Sequence, residues 1–184
     1  MKKIFGRTVF VLAIVLFTLC GTGTAATVKL AMDADPVSLD PQVQLSGGML
    51  QYCHMVFDPL VRWTRDGGFE PRLAVKWEMV NSTTTRFFLR KGVKFHSGNA
   101  FTADDVVFSL ERLKKSEDFK GLFEYFTGAK AVDRHTVDLI TSEPYGLVMA
   151  MATYIFPMDK AFYSGIDPKN NKPKDLILKT DYTF

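Results

Sequence analysis

Between Leu60 and Thr141 short β-prone runs are separated by turn residues at close intervals, and this spacing constrains the fold more than any other feature of the chain. LVRWT and FEPRL flank Arg65-Asp66-Gly67-Gly68, where an Asp-Gly pair predicts a β-hairpin because glycine takes the positive φ of a tight turn. VKWEMV and TRFFLR continue in extended form around Asn81 to Thr84, and VKF leads into a His96-Ser97-Gly98-Asn99 turn, so an antiparallel meander is expected. Farther on, AKAV and TVDLIT flank Asp133-Arg134-His135 as another hairpin.

Helical periodicity interrupts this pattern at defined places. Thr102 to Lys115 carries Val106, Val107, Leu110 and Leu113 on one stripe, with Glu111, Arg112, Lys114 and Lys115 outside it. Thr102 is its expected cap, with Asp105 three residues later close to a capping box. Upstream, VKLAMD (Val28 to Asp33) alternates like a strand and Pro36 and Pro41 mark a loop. After Ser46-Gly47-Gly48 a helix follows, with Met49, Cys53, Val56 and Phe57 at helical spacing, and Asp58-Pro59 stops it. Tyr145 to Tyr154 is apolar, Met-rich and expected to be buried, and Gly165 to Asp175 reads as polar loop. There is no internal repeat, low-complexity tract or linker, so residues 27–184 read as one piece.

Residues 1–26 have the layout of a secretory signal peptide: Lys2, Lys3 and Arg7, an apolar run from Val9 to Leu19 broken only by Thr18, then small residues from Gly21 to Ala26. A membrane-spanning helix needs about 20 apolar residues, more than this run supplies. Cleavage before Thr27 is expected, with Ala26 as the neighbouring alternative. A lipid anchor at Cys20 is disfavoured because Leu19 stands where a lipoprotein signal wants a small residue. The chain has 23 basic and 20 acidic side chains, and the three-charge surplus lies wholly in this leader. A basic patch for nucleic acid or anionic membrane is therefore not indicated. Removal of Cys20 leaves Cys53 alone, so no intramolecular disulfide can form and a buried, inert thiol is expected.

The catalytic signatures are missing: no GxSxG elbow, P-loop or HExxH occurs. Asp104 and Asp105 fall in a first helical turn, where the dipole favours acidic residues for structural reasons. Asp33 and Asp35 lack the further carboxylates of a calcium loop. His54, His96 and His135 are far apart, and Cys53 and His54 point in different directions on a helix, so no metal site or cofactor is expected. Arg90, Lys91 and Lys94 near Phe87, Phe88 and Phe95 imitate a nucleic-acid face, but strand alternation sends the charges to solvent. The Ser46-Gly47-Gly48 loop follows a strand end and opens a helix, so its free N–H groups could receive a ligand carboxylate; the alternative is that the glycines only make a turn.

RKGVKFHSGNAFTADDVVFSLERL, Arg90 to Leu113, resembles the signature segment of the extracellular solute-binding proteins of peptide and nickel ABC transporters, called family 5. The resemblance runs back through FDPLVRW, Gly67-Gly68 and LAVKWEM, and forward through VDRHTVDLITSEPYG. Asn81 to Thr84 departs from the family's acidic and glycine-containing turn. The resemblance implies an α/β fold of the periplasmic binding protein type II-like class, of which residues 27–184 would be the first lobe: a mixed sheet with an antiparallel meander and flanking helices. It implies a periplasmic, non-catalytic receptor, a monomer that closes over a peptide and delivers it to an ABC transporter permease, with nickel, haem or opine as alternative cargo. A self-contained exported enzyme or interaction domain ending at Phe184 is the competing expectation. From the family, the loop Gln44 to Leu50 carries over as a cleft-lining element, with Ser46, Gly47 and Leu50 as expected ligand contacts and Tyr145 as a further candidate, although Pro144-Tyr145-Gly146 could equally be a plain turn. Family members are much longer, so the second lobe is expected to lie beyond Phe184.

Overall fold

A computed structural model describes residues 40–164 continuously, together with Thr27, Lys29, Ala31 and Ser38. The leader with Cys20, the Asp33/Asp35 pair and the tail from residue 165 lie outside the described residues. Of the strand expected over Val28–Asp33, only Lys29 and Ala31 are described; both are exposed and neither is in a strand.

The elements run α1 (Gly47–Val56), β1 (Val61–Trp63), β2 (Phe69–Pro71), β3 (Ala74–Asn81), β4 (Thr84–Leu89), α2 (Ala103–Lys115), β5 (Phe126–Asp133), β6 (Thr136–Thr141), α3 (Val148–Ala152) and α4 (Lys160–Tyr163). β1 and β2 pair through the Asp-Gly turn, where Gly67 adopts φ +84°. The turn between β3 and β4 needs no glycine, because Asn81 Oδ1 accepts from the Thr83 amide at 2.9 Å and supplies the turn from its side chain.

Strand order in the four-stranded sheet is β3-β4-β6-β5, and every pairing described is antiparallel. Two hairpins are thus joined through β4 and β6 rather than in consecutive order. The intervening α2 accounts for this, because it packs on β5 and β6 and closes the core over them. Phe87 and Leu89 of β4, Val137 and Leu139 of β6, and Val106, Leu110 and Leu113 of α2 are buried together with Phe119, Phe123 and Phe126. On the other face Arg86 makes a two-pronged bond to its cross-strand partner Asp138, at 2.7 and 2.8 Å. Arg90, Lys91 and Lys94 are exposed, but Arg90 and Lys91 follow the end of β4 at a turn, so it is the turn and not strand alternation that sends them to solvent.

Arg112 lies outside the apolar stripe of α2 as expected, yet it is only 4% exposed, because a second row, Asp105, Ser109, Arg112 and Ser116, lies buried beside that stripe. On α1, Met49 and Cys53 are buried as expected, whereas Val56 is 63% exposed. The small core beneath α1 is closed instead by Phe156, with Phe57 packed against it.

Candidate functional site

The loop entering α1 is held from three directions. Ser46 caps the helix, its hydroxyl accepting from the Met49 amide at 3.2 Å, and the Leu45 amide donates to Asp118 Oδ2 at 3.0 Å. Below the loop, Asp40 and Gln42 are buried against Arg112. Arg112 Nη2 donates to Asp40 Oδ2 at 2.7 Å, and Nη1 donates to Gln42 Oε1 at 2.9 Å. Gln42 Nε2 then reaches the Phe156 carbonyl at 3.3 Å, which ties the loop's footing to the residue that forms the floor of α1.

Gly47 is exposed, and a Cβ placed on it would meet nothing within 4 Å. Its φ is not positive, so the backbone does not require glycine there. The Met49 amide is taken by the Ser46 hydroxyl and that of Leu50 by the Ser46 carbonyl, so an anion arriving at this end would meet the amides of Gly47 and Gly48 together with the positive end of the helix dipole. Leu50, one turn on, lines a shallow pocket with Gln51, His54, Met55, Arg62 and Trp63.

This pocket joins an apolar surface to a positive edge. Trp63 is 46% and Met55 57% exposed, while Arg62 Nη2 donates to the His54 carbonyl at 2.7 Å. His54 lies edge-on to Phe156, with ring centroids 5.1 Å apart. Burial, and then the charges of Arg62 and Arg72, hold its pKa below the ordinary histidine value and favour the neutral ring. The Cys53 thiol is pushed up to about 11 by burial and by the nearby charge of Asp40. Among the described residues no group of three His, Cys, Asp or Glu side chains could hold a metal ion. No helix among them is long and apolar enough to cross a membrane.

Ser46, Gly47 and Leu50 therefore stand together at the start of α1. Tyr145 lies elsewhere: it stacks on Tyr125 with centroids 4.8 Å apart, meets Phe126 edge-on, and does not line the pocket beside Leu50. The sequence reading passed over Arg62, Trp63 and the buried Asp40–Gln42–Arg112 cluster. Polar residues at i, i+4, i+7 and i+11 along α2 were a readable signal for the last of these.

Residues 68–181 match the model of the bacterial extracellular solute-binding proteins, family 5 Middle. The dipeptide-binding protein of Escherichia coli (strain K12) is 32% identical over 157 residues, which is 72% of this chain and 29% of that protein. Di/tripeptide-binding protein 3 of Pseudomonas aeruginosa (strain UCBPP-PA14) is 28% identical, covering 84% of this chain and 34% of that protein. The chain thus spans about a third of the length of these curated relatives. Among solved structures, the PBP AgaA of A.tumefacien R10 in complex with agropinic acid aligns with a TM-score of 0.66 at 25% identity, over 77% of this chain and 29% of that one. The fold is that of periplasmic binding proteins of the type II-like class. Members of the matched family bind solutes and are not catalysts, and the chain belongs to the bacterial extracellular solute-binding proteins of family 5.

Proposed function

We propose that this chain supplies the first-lobe part of a periplasmic receptor that captures di- or oligopeptides and delivers them, without chemistry, to an ABC transporter permease. The observation that carries this reading is the run of relatives named for dipeptides and tripeptides over 72 to 84% of the chain. Residues 1–26 act in it as a cleaved export signal, and residues 27–184 as the lobe itself, monomeric and free of cofactor. The loop from Gln44 to Leu50 faces the ligand. Its amides receive a carboxylate or peptide carbonyl at the start of α1, and Leu50 offers an apolar contact. Tyr145 is a separate contact, reached only by an extended ligand.

A binding protein of this kind is stabilised in its closed form by contacts from both lobes. One lobe alone therefore binds weakly, with a Kd of about a millimolar or more. Addition of millimolar Met-Leu dipeptide to the 15N-labelled chain is expected to move the amide resonances of Ser46, Gly47 and Leu50. Shifts confined to other surfaces would sink the peptide reading, and tight binding by this chain alone would sink the two-lobe account. The agropinic acid complex favours a second reading, an opine receptor, and agropinic acid moving those resonances where the dipeptide does not would establish it.

A further inference from the structure

We propose that Arg112 is a positioning residue for the ligand loop, fixing where Ser46 and Leu50 stand although it touches neither. The inference rests on the reading of that loop as the ligand-facing element. Arg112 and Asp40 lie 72 positions apart, and their side chains are 4% and 3% exposed. The guanidinium spans two acceptors on the segment that leads into the loop, Asp40 Oδ2 at 2.7 Å and Gln42 Oε1 at 2.9 Å, and its Nη1 also approaches Asp40 Oδ1 at 3.3 Å.

That fork sets a direction as well as a distance. A guanidinium offers its donors in one plane at fixed angles, so Asp40 and Gln42 can both be satisfied in only a narrow range of backbone positions. Two further contacts hold the plane itself: the Tyr163 ring lies 5.4 Å from Arg112 Cζ, and the apolar stripe of α2 anchors the stem in the main core. Asp40 in turn turns the chain, accepting from the Gln42 amide at 2.9 Å. Gln42 passes the restraint to Phe156, whose ring closes the core under Met49 and Cys53. The first turn of α1 consequently rests on residues that are themselves located by Arg112.

A buried ion pair is not evidence of stabilisation, because desolvating both charges offsets their attraction. Its best-supported use is to specify one arrangement over others. Arg112 has a buried Nε with no partner, so the cluster is not arranged to collect every available hydrogen bond. Holding the 40–46 segment in one register is the role the geometry leaves for it.

Arg112→Lys tests this, because lysine keeps the buried charge beside Asp40 but loses the planar fork to Gln42. Hydrogen exchange in the purified chain should show the amides of Met49 and Leu50 exchanging about tenfold faster, the equivalent of one lost charge-assisted hydrogen bond. Amides of Phe87, Val137 and Leu139 should stay within about twofold of the wild-type rate. An equal loss at both places would reduce Arg112 to a general stabiliser, and unchanged exchange at Met49 and Leu50 would also overturn the proposal. Should the lysine variant fail to fold, Gln42→Leu removes one arm of the fork with both charges left paired, and the same two sets of amides decide. The dipeptide titration of the wild-type chain is a separate readout: shifts confined to other surfaces there remove the peptide reading, while exchange still decides whether Arg112 holds the loop.

Discussion

Gly47 and Gly67 look alike in the sequence and differ in what their backbones demand. Gly67 sits at φ +84° in the β1–β2 turn, so Gly67→Ala should cost about 1–2 kcal/mol in a denaturant melt. Gly47 lies in a helical first turn with open space around it, and Gly47→Ala should be neutral or stabilising by up to about 1 kcal/mol. If its lack of a Cβ serves ligand approach, the same variant will weaken the dipeptide-induced shifts at Ser46 and Leu50 while melting no earlier than wild type. Equal shifts in the two proteins would leave Gly47 as an ordinary helix-start residue. Asp159 gives a residue-scale effect with a sign. Burial would raise its pKa, but donation from Ser97, Asn99 and the amides of Phe162 and Ala161 outweighs burial and holds it below the ordinary carboxylate value. A depressed folded pKa contributes stability that is complete above the ordinary value, near about 4, and is lost as pH falls through the lower folded one. Asp159→Asn should therefore melt earlier than wild type at pH 7, with the gap closing under acid conditions. A gap that widens on acidification would contradict the assignment.

At the scale of elements, the signature helix carries more than a cap. Asp105 Oδ2 accepts from the Thr102 amide at 2.8 Å and from its hydroxyl at 3.0 Å, while Oδ1 accepts from the Lys160 amide at 3.0 Å at the start of α4. Asp105→Ala removes both functions and should cost about 2–3 kcal/mol, whereas the exposed neighbour Asp104→Ala should stay within about 0.5 kcal/mol. Equal effects in chemical denaturation would mean that the helix dipole alone accounts for both carboxylates. The helix, its cap and the hairpins were legible because each depends on residues within a few positions of one another. Thr102 and Asp105 are three apart, and Asp66-Gly67 forms its own turn. The departure at Asn81 to Thr84 was harmless because an asparagine side chain can close the turn that a glycine otherwise makes. Burial of Arg112 was not read, since the charge spacing of α2 matches a solvent face until Asp40, 72 residues away, is placed beside it. The loop at Ser46 was found from its position before a helix, but the pocket wall that Arg62 and Trp63 add comes from a different element and has no local mark.

Across the described residues, burial is divided unequally, and this division governs how the molecule opens. The sheet and α2 share one large aromatic and aliphatic core, whereas α1 rests on Met49, Cys53 and Phe156, with Phe57 at the edge. An element with few buried apolar partners opens at lower free energy than the global transition, so α1 and the ligand loop should form a unit that exchanges before the sheet does. Two matched truncations separate the regions. Phe156 and Phe87 are both fully buried, and Phe→Ala at such sites costs about 3–5 kcal/mol where the site cannot collapse. Phe156→Ala should abolish protection of the Met49 and Leu50 amides, and should let the Cys53 thiol react with a disulfide reagent that the native protein resists, with Val137 and Leu139 still protected. Phe87→Ala should lower protection everywhere by a similar factor, because it strikes the core that the whole unit shares. If Phe156→Ala instead melts the sheet together with α1, the two clusters form one cooperative structure, and the ligand loop has no stability of its own to be tuned.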